Sequence, residues 1–240
     1  MVENNVKDIR SEQSSDGIAD LPFAVREAYK RLRTNVIYSI PKKDDGSGII
    51  IGVTSSAKGE GKSSTSVNLA RSLAEAGNEV LLIDSDLRMP NVHTQLKMLS
   101  VPGLSDYLVS QSDRKISIRP VSADENCKFY VIAAGTLPPN PSELLSSARM
   151  ESLLKALSAK FQYIIVDLPP IGIVTDALIV SKCTDGMLLV VREDYAHKRG
   201  LEDAISQLNL AQAKILGFVL NDVKGSVKRY GGKKNYGYYQ

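Results

Sequence analysis

Two stretches of this chain combine residue types and spacings that handle phosphate. The first is Ile49 to Ser66, IIIGVTSSAKGEGKSSTS. Its β-branched run, Ile49, Ile50, Ile51 and Val53, breaks into a small loop and then opens onto a helix. Gly59 and Gly61 let main-chain N–H groups turn inward on a polyanion, and the helix start adds a positive dipole end with unpaired donors. Lys62 supplies charge for the β and γ phosphates and Ser63 a hydroxyl for Mg²⁺, with Lys58, Glu60 and Ser64 completing the set of nucleotide contacts. The stretch departs from G-x-x-x-x-G-K-[ST] at its first position, where Ser56 stands. Strand before and helix after still make it a phosphate cradle, and ATP with Mg²⁺ the expected ligands.

The second set is Asp84, Asp86 and Asp167. Val80 to Ile83 reads as a buried strand ending at Asp84, with Asp86 two residues on and Arg88 beyond. Tyr163 to Val166 delivers Asp167 in the same way, ahead of Leu168-Pro169-Pro170. Ligands gather at the carboxyl ends of parallel strands, so all three carboxylates should reach the rim that holds the phosphate loop. Together they suit Mg²⁺, which prefers oxygen ligands and keeps several waters.

The elements that must position these groups alternate. Lys62 to Ala76 is a helix with Val67, Leu69, Ala70, Leu73 and Ala74 apolar. Phe129 to Ala133 reads as a strand, Ser142 to Ser158 and Thr175 to Lys182 as helices, and Gly186 to Val191 as a buried strand. His197 to Leu210 is helical, and Ile215 to Leu220 a last strand ending at Asn221-Asp222. Upstream, Pro22 to Ser39 is a helix whose apolar face is Ala24, Ala28, Leu32 and Val36. Such alternation implies an α/β fold of the P-loop NTPase type, a mostly parallel sheet with helices on both faces in a single domain. The expected organisation is a polar lead-in and oligomerisation helix over residues 1–47, the P-loop domain over 48–223 and a tail over 224–240.

Composition fits one core: the chain has 240 residues and is 43% hydrophobic. Cys127 and Cys183 have neither metal nor redox spacing and suit a reducing compartment. No apolar run approaches the ~18 residues of a membrane span, so a cytoplasmic location is expected, with any attachment to the inner face of the membrane supplied by a partner. The net charge of +3 is unevenly spread. Residues 1 to 20 are acidic and polar, whereas from Lys224 onward Lys228, Arg229, Lys233 and Lys234 interleave with Tyr230, Tyr236, Tyr238, Tyr239 and glycines, without an acidic residue. Neither end has apolar periodicity, so both are expected to be flexible.

VTSSAKGEGKSS, LLIDSDLRMP, AGTLPPNPSELL, YIIVDLPPIGIVTDA and the terminal tyrosines together resemble the bacterial tyrosine kinases of capsule and exopolysaccharide synthesis, the CpsD/CapB family. The resemblance implies an ATP-dependent protein-tyrosine kinase with Lys62, Asp84, Asp86 and Asp167 as catalytic residues and Ser63 with the three aspartates around Mg²⁺. It implies Tyr230, Tyr236, Tyr238 and Tyr239 as phosphoacceptors, a homo-oligomeric ring, activation by the cytoplasmic segment of a membrane-bound polysaccharide co-polymerase, and scope for other protein-tyrosine substrates. The family's oligomerisation motif E-x-x-R-x-x-R-x-N is similar to Glu27, Lys30, Arg33 and Asn35, with a lysine in place of the first arginine. Asn221, at the end of the last strand, would touch adenine as in related ATPases. Two other classes stay open from the residues alone. A MinD/ParA-type ATPase switch shares the fold, although its signature lysine would fall at Ala57 rather than Lys58. A nucleic-acid-binding module could stack bases on the basic, tyrosine-rich tail, but without a basic groove no nucleic-acid partner is expected.

Overall fold

The computed structural model describes residues 15–16, 21–110, 115–124 and 127–224. Of the acidic lead-in only Ser15 and Asp16 are among them; Tyr230, Tyr236, Tyr238 and Tyr239 lie outside. Four central strands explain the fold: β2 (Ile49–Ser55), β3 (Val80–Asp84), β6 (Tyr163–Asp167) and β7 (Gly186–Arg192). Their apolar runs are nearly continuous, because helices cover both faces of the sheet they form. With β1 (Ser15–Asp16), β4 (Arg119–Asp124), β5 (Cys127–Ile132) and β8 (Ile215–Asn221) they make one sheet of order β1-β4-β5-β3-β6-β2-β7-β8. Every pairing is parallel except β4 with β5.

The two-residue period of β2 divides the core. Ile49, Ile51 and Val53 face a cluster with Val36 and Ile40 and with Leu69, Ala70 and Leu73 of α2 (Lys62–Glu75). Ile50 faces the opposite cluster, built on α6 (Ala148–Ser158), α7 (Asp176–Ser181) and α8 (Lys198–Leu210) through Leu153, Leu157, Val180, Ala204 and Leu208. Gly52 is small because an added Cβ would lie 2.4 Å from Met187 Sδ on the neighbouring strand.

Three expectations change. The single helix expected over Ser142–Ser158 is two, α5 (Pro141–Leu145) and α6, parted at Ser146-Ser147. Ser147 caps α6 by accepting from Met150 N at 3.3 Å, a role that its hydroxyl performs better than an interior position would allow. Strand β4 was not expected: Pro120 removes a donor and RPVSAD does not alternate cleanly. Helix α1 (Phe23–Ser39) is present, but of its expected apolar face Ala24 and Ala28 are exposed, Leu32 is half-buried and only Val36 is fully buried. Short helices α3 (Val92–Gln95) and α4 (Leu104–Val109) complete the element list.

Candidate active site

The phosphate loop leaves β2 at the middle of the sheet. Gly59 and Gly61 both take positive φ, 86° and 92°, where a side chain is strained. No side chain caps the N-terminus of α2, which leaves its first N–H groups for an anion. The loop is stiffened from within by Glu60, whose buried carboxylate accepts from Ala57 N at 2.7 Å and Ser56 Oγ at 3.0 Å. What Glu60 can offer a nucleotide is therefore its main chain. From outside, Asn221 Nδ2 donates to Glu60 O at 2.9 Å, Tyr195 Oη to Lys58 O at 3.1 Å, and Arg192 Nη1 to Gly59 O at 3.4 Å. Arg192 is in turn fixed by Asp222, to which Nε and Nη2 donate at 2.9 and 2.7 Å.

Beside this loop the strand ends meet as expected. Asp84 and Asp167 are register partners on β3 and β6, and both are fully buried. Lys62 Nζ reaches Asp86 Oδ2 at 2.7 Å and stands 4.0 Å from Asp167 Oδ2 and 3.5 Å from Ser63 Oγ. Asp86 Oδ1 accepts from Met89 N at 2.9 Å, and Asp84 accepts from Asp86 N at 3.3 Å and Val92 N at 3.1 Å. Asp167 Oδ1 accepts from Ser66 Oγ at 2.9 Å, but its buried Oδ2 has no hydrogen-bond partner.

One half-buried ammonium thus faces three buried carboxylates. Burial pushes Asp84 well above the usual carboxylate range, and repulsion from Asp167 adds to it. Burial likewise raises Asp167, against the pull of Lys62. Burial acts to lower Lys62, but Asp167 and Asp86 together outweigh it and hold the ammonium above its ordinary value. The cluster is short of positive charge. Among the described residues no three His, Cys, Asp or Glu side chains form a metal cage by themselves. Mg²⁺ does not require one, since it is commonly held by one or two carboxylates together with phosphate and water. The orphaned Asp167 Oδ2 and the all-oxygen donor set of Ser63 and the aspartates fit that ion.

A cavity of about 520 Å³ opens above Lys62, Ser63 and Asp86, bounded by the phosphate loop on one side and by the segments after β3 and β6 on the other.

A family model described as an AAA domain matches residues 48–219. "Tyrosine-protein kinase CpsD" of Streptococcus agalactiae is 37% identical over 213 residues, covering 88% of this chain and 89% of that protein. The chain belongs to the bacterial tyrosine kinases of the CpsD/CapB family. Among solved structures, the kinase domain of the Escherichia coli tyrosine kinase ETK matches with a TM-score of 0.74 and 29% identity, covering 97% of this chain and 90% of that one. The Pyrococcus furiosus cell division ATPase MinD matches with a TM-score of 0.58 and 27% identity, covering 72% and 71%. This kinase therefore carries a nucleotide-binding P-loop domain and transfers phosphate to protein tyrosine.

Within the kinase, Lys58, Gly59, Gly61, Lys62, Ser63, Ser64 and Asp86 line the cavity. Asp84 and Asp167 lie beneath it, within the Lys62 cluster. Asn221 sits under the loop, so close that a Cβ on Gly61 would lie 1.9 Å from its Nδ2. On α1, Glu27 and Lys30 pair with each other at 2.8 Å on the surface, which draws the Glu27 carboxyl below its ordinary value. Arg33 Nη1 donates within the chain to Ser72 O of α2 at 2.6 Å. Sequence reasoning assigned no role to Tyr195, Arg192 and Asp222, nor to the clamp in which Arg88 donates to the fully buried Asp176 at 2.8 and 3.2 Å and to Ser142 Oγ at 2.9 Å. Arg88 stood next to DSD as a signal; the loop braces, more than a hundred residues from the loop, gave none. Among the described residues no helix is long and apolar enough to cross a membrane.

Proposed function

We propose that this kinase uses Mg²⁺ and ATP to phosphorylate its own C-terminal tyrosines, Tyr230, Tyr236, Tyr238 and Tyr239, in trans within a homo-oligomeric ring, and so regulates capsular or exopolysaccharide synthesis. The observation that carries it is the Lys62 cluster: a cation and Asp86 at the floor of a cavity walled by an uncapped helix start, with Asp84 and Asp167 buried beside them. Ser63, Asp84, Asp86 and Asp167 would hold Mg²⁺, directly or through water, and the ion would neutralise charge on the phosphates. Lys62 and the N–H groups of the loop hold the β and γ phosphates and offset charge on the phosphoryl in flight. A tyrosine hydroxyl, with a pKa of about 10, is a weak nucleophile at neutral pH. A carboxylate of the Asp84–Asp86 pair orients it and accepts its proton.

The α1 motif, Glu27, Lys30 and Arg33, contributes the ring interface, and the cytoplasmic segment of a membrane-bound modulator recruits the kinase to the inner face of the membrane. Each phosphate adds about −1.5 to −2 charges to a basic tail, which releases it from the ring.

Incubating the full chain with labelled ATP and Mg²⁺ and mapping the label tests this. Phosphotyrosine within residues 230–239 is expected. ADP and free phosphate alone would mark a MinD-like switch, and neither product a nucleic-acid-binding or other non-enzymatic role. For transfer in trans, a Lys62→Met chain mixed with a tail-deleted chain should become phosphorylated on its tail; no label there would refute it.

A further inference from the structure

Two large apolar side chains stand open at the mouth of the catalytic cavity. Met89 is 56% and Ile173 62% exposed, and both line the cavity that has Lys62, Ser63 and Asp86 at its floor. Single exposed hydrophobes are ordinary; these two share one cavity, which Pro90, Pro170 and Val174 also line. Each lies on the segment that leaves a carboxylate-bearing strand, Met89 after β3 and Ile173 after β6. Both segments are anchored. Met89 N donates to Asp86 Oδ1 at 2.9 Å, Ile171 N to Ser55 O on β2 at 2.9 Å, and Ile173 N to Pro170 O at 3.2 Å.

The strand order separates two sides of the site. Across the sheet run β3, β6, β2, β7 and β8, with the phosphate loop leaving β2 in the middle. Asn221, ending β8, marks one flank. Met89 and Ile173 mark the other, and only that flank carries Asp84, Asp86 and Asp167. An acceptor hydroxyl that must lose a proton has to enter on the carboxylate flank, past the open apolar pair.

We propose that Met89 and Ile173 grip the phenol ring of the incoming tyrosine and thereby restrict this kinase to tyrosine. The inference rests on the placement of the γ-phosphate at Lys62 given above. In the step so guided, tyrosine Oη bonds to the γ-phosphorus and the bond from phosphorus to the bridging oxygen of ADP breaks. The electron pair stays on ADP, and the phenolic proton passes to a carboxylate of the Asp84–Asp86 pair. A thioether on one side and a branched aliphatic on the other suit an aromatic ring, since sulfur–ring contacts are favourable and the ring buries a large apolar area. Serine brings no ring to cover the pair and so gains nothing from it.

The test uses the full chain, its Met89→Ala/Ile173→Ala variant and the conservative Met89→Leu/Ile173→Val variant. The acceptor is a peptide of residues 233–240, KKNYGYYQ, together with the same peptide bearing Phe at its three tyrosines. Kinetics on the first, inhibition by the second and the affinity of a fluorescent ATP analogue are measured. Expected are a rise in peptide KM of about tenfold or more in the Ala/Ala variant, loss of inhibition by the Phe peptide, an ATP-analogue affinity within about twofold of the parent, and recovery in the Leu/Val variant. An unchanged peptide KM would overturn the clamp. So would a loss of ATP-analogue affinity equal to the rise in KM, because the pair would then cover the base. A parent chain that binds no ATP analogue would instead bring down the phosphate placement, and the clamp with it.

Discussion

Replacing Asp167 by asparagine should stabilise the nucleotide-free kinase while abolishing its activity. The side chain keeps its shape, and Oδ1 still accepts from Ser66 Oγ at 2.9 Å. What is lost is the charge, half of it on a buried oxygen with no hydrogen-bond partner. At an effective dielectric of about 20, two unit charges 4 Å apart interact by about 4 kcal/mol. Lys62 at 4.0 Å supplies one such attraction but is shared with Asp86 at 2.7 Å. Asp84, across the β3–β6 register, and Asp86 both repel that charge, and removing a carboxylate from water costs several kcal/mol. Cost exceeds attraction, as the raised Asp167 and Asp84 both indicate.

The sign of the pH dependence follows from that direction. A carboxyl whose folded pKa lies above its unfolded value binds its proton more tightly in the folded state. Its contribution to stability is therefore complete below the unfolded value near 3.8 and is lost as pH rises through the raised folded value. At neutral pH the charge on Asp167 is a burden, and Asp167→Asn should gain about 1–2 kcal/mol, a rise of roughly 2–4 °C in Tm per kcal/mol for a domain of this size. Thermal melts from pH 5 to 8, with and without Mg²⁺ and ATP, and phosphotyrosine blots provide the measurement. The variant should melt higher than the parent without nucleotide, its advantage should not shrink as pH rises, and it should lose nucleotide-dependent stabilisation. A variant less stable than its parent at neutral pH without nucleotide would refute the reasoning.

Lys62→Met should cut phosphotyrosine formation by at least about 100-fold and lower stability at neutral pH by about 3–5 kcal/mol, because it strands the carboxylates; denaturation at pH 5 should recover much of that loss as they protonate. Gly61→Ala should destabilise by about 1–3 kcal/mol through its φ of 92° and its clash with Asn221, and a double-mutant cycle with Asn221→Ala should show positive coupling, the clash being removed while the strain remains. Ser147→Ala should cost about 1 kcal/mol in chemical denaturation through loss of the α6 cap, with kinase activity retained.

Much of this site could be seen in the sequence because its parts are local. Parallel strands buried on both faces leave uninterrupted runs such as Val80 to Ile83 and Tyr163 to Val166, and a carboxylate that follows such a run must sit at the sheet's carboxyl edge. The loop between Ser55 and Lys62 is equally local. The supports of the loop are not. Tyr195 and Asn221 reach Lys58 and Glu60 across separations of 137 and 161 residues, through one hydrogen bond each, and no periodicity marks them. The clamp of Arg88 on Asp176 is hidden for the same reason, at a separation of 88 residues. Ser146-Ser147 inside an otherwise helical pattern was a local signal, since serine favours caps over helix interiors. In α1, helical spacing of Ala24 and Ala28 with Leu32 and Val36 suggested burial, yet of these four only Val36 is fully buried and Leu32 half-buried.

Asn221 and Asp222 hold the phosphate loop in place, the first directly and the second through Arg192, and only Val223 separates them from the tyrosine-bearing tail. The root of the tail and the catalytic loop thus share one anchorage. Lys224, at the head of that tail, is itself tied down: its main-chain N–H donates to Glu193 Oε2 and its ammonium stands 3.3 Å from Asp194, so a pull on the tail would reach the turn that follows Arg192, and through Arg192 the loop, before it reached the core.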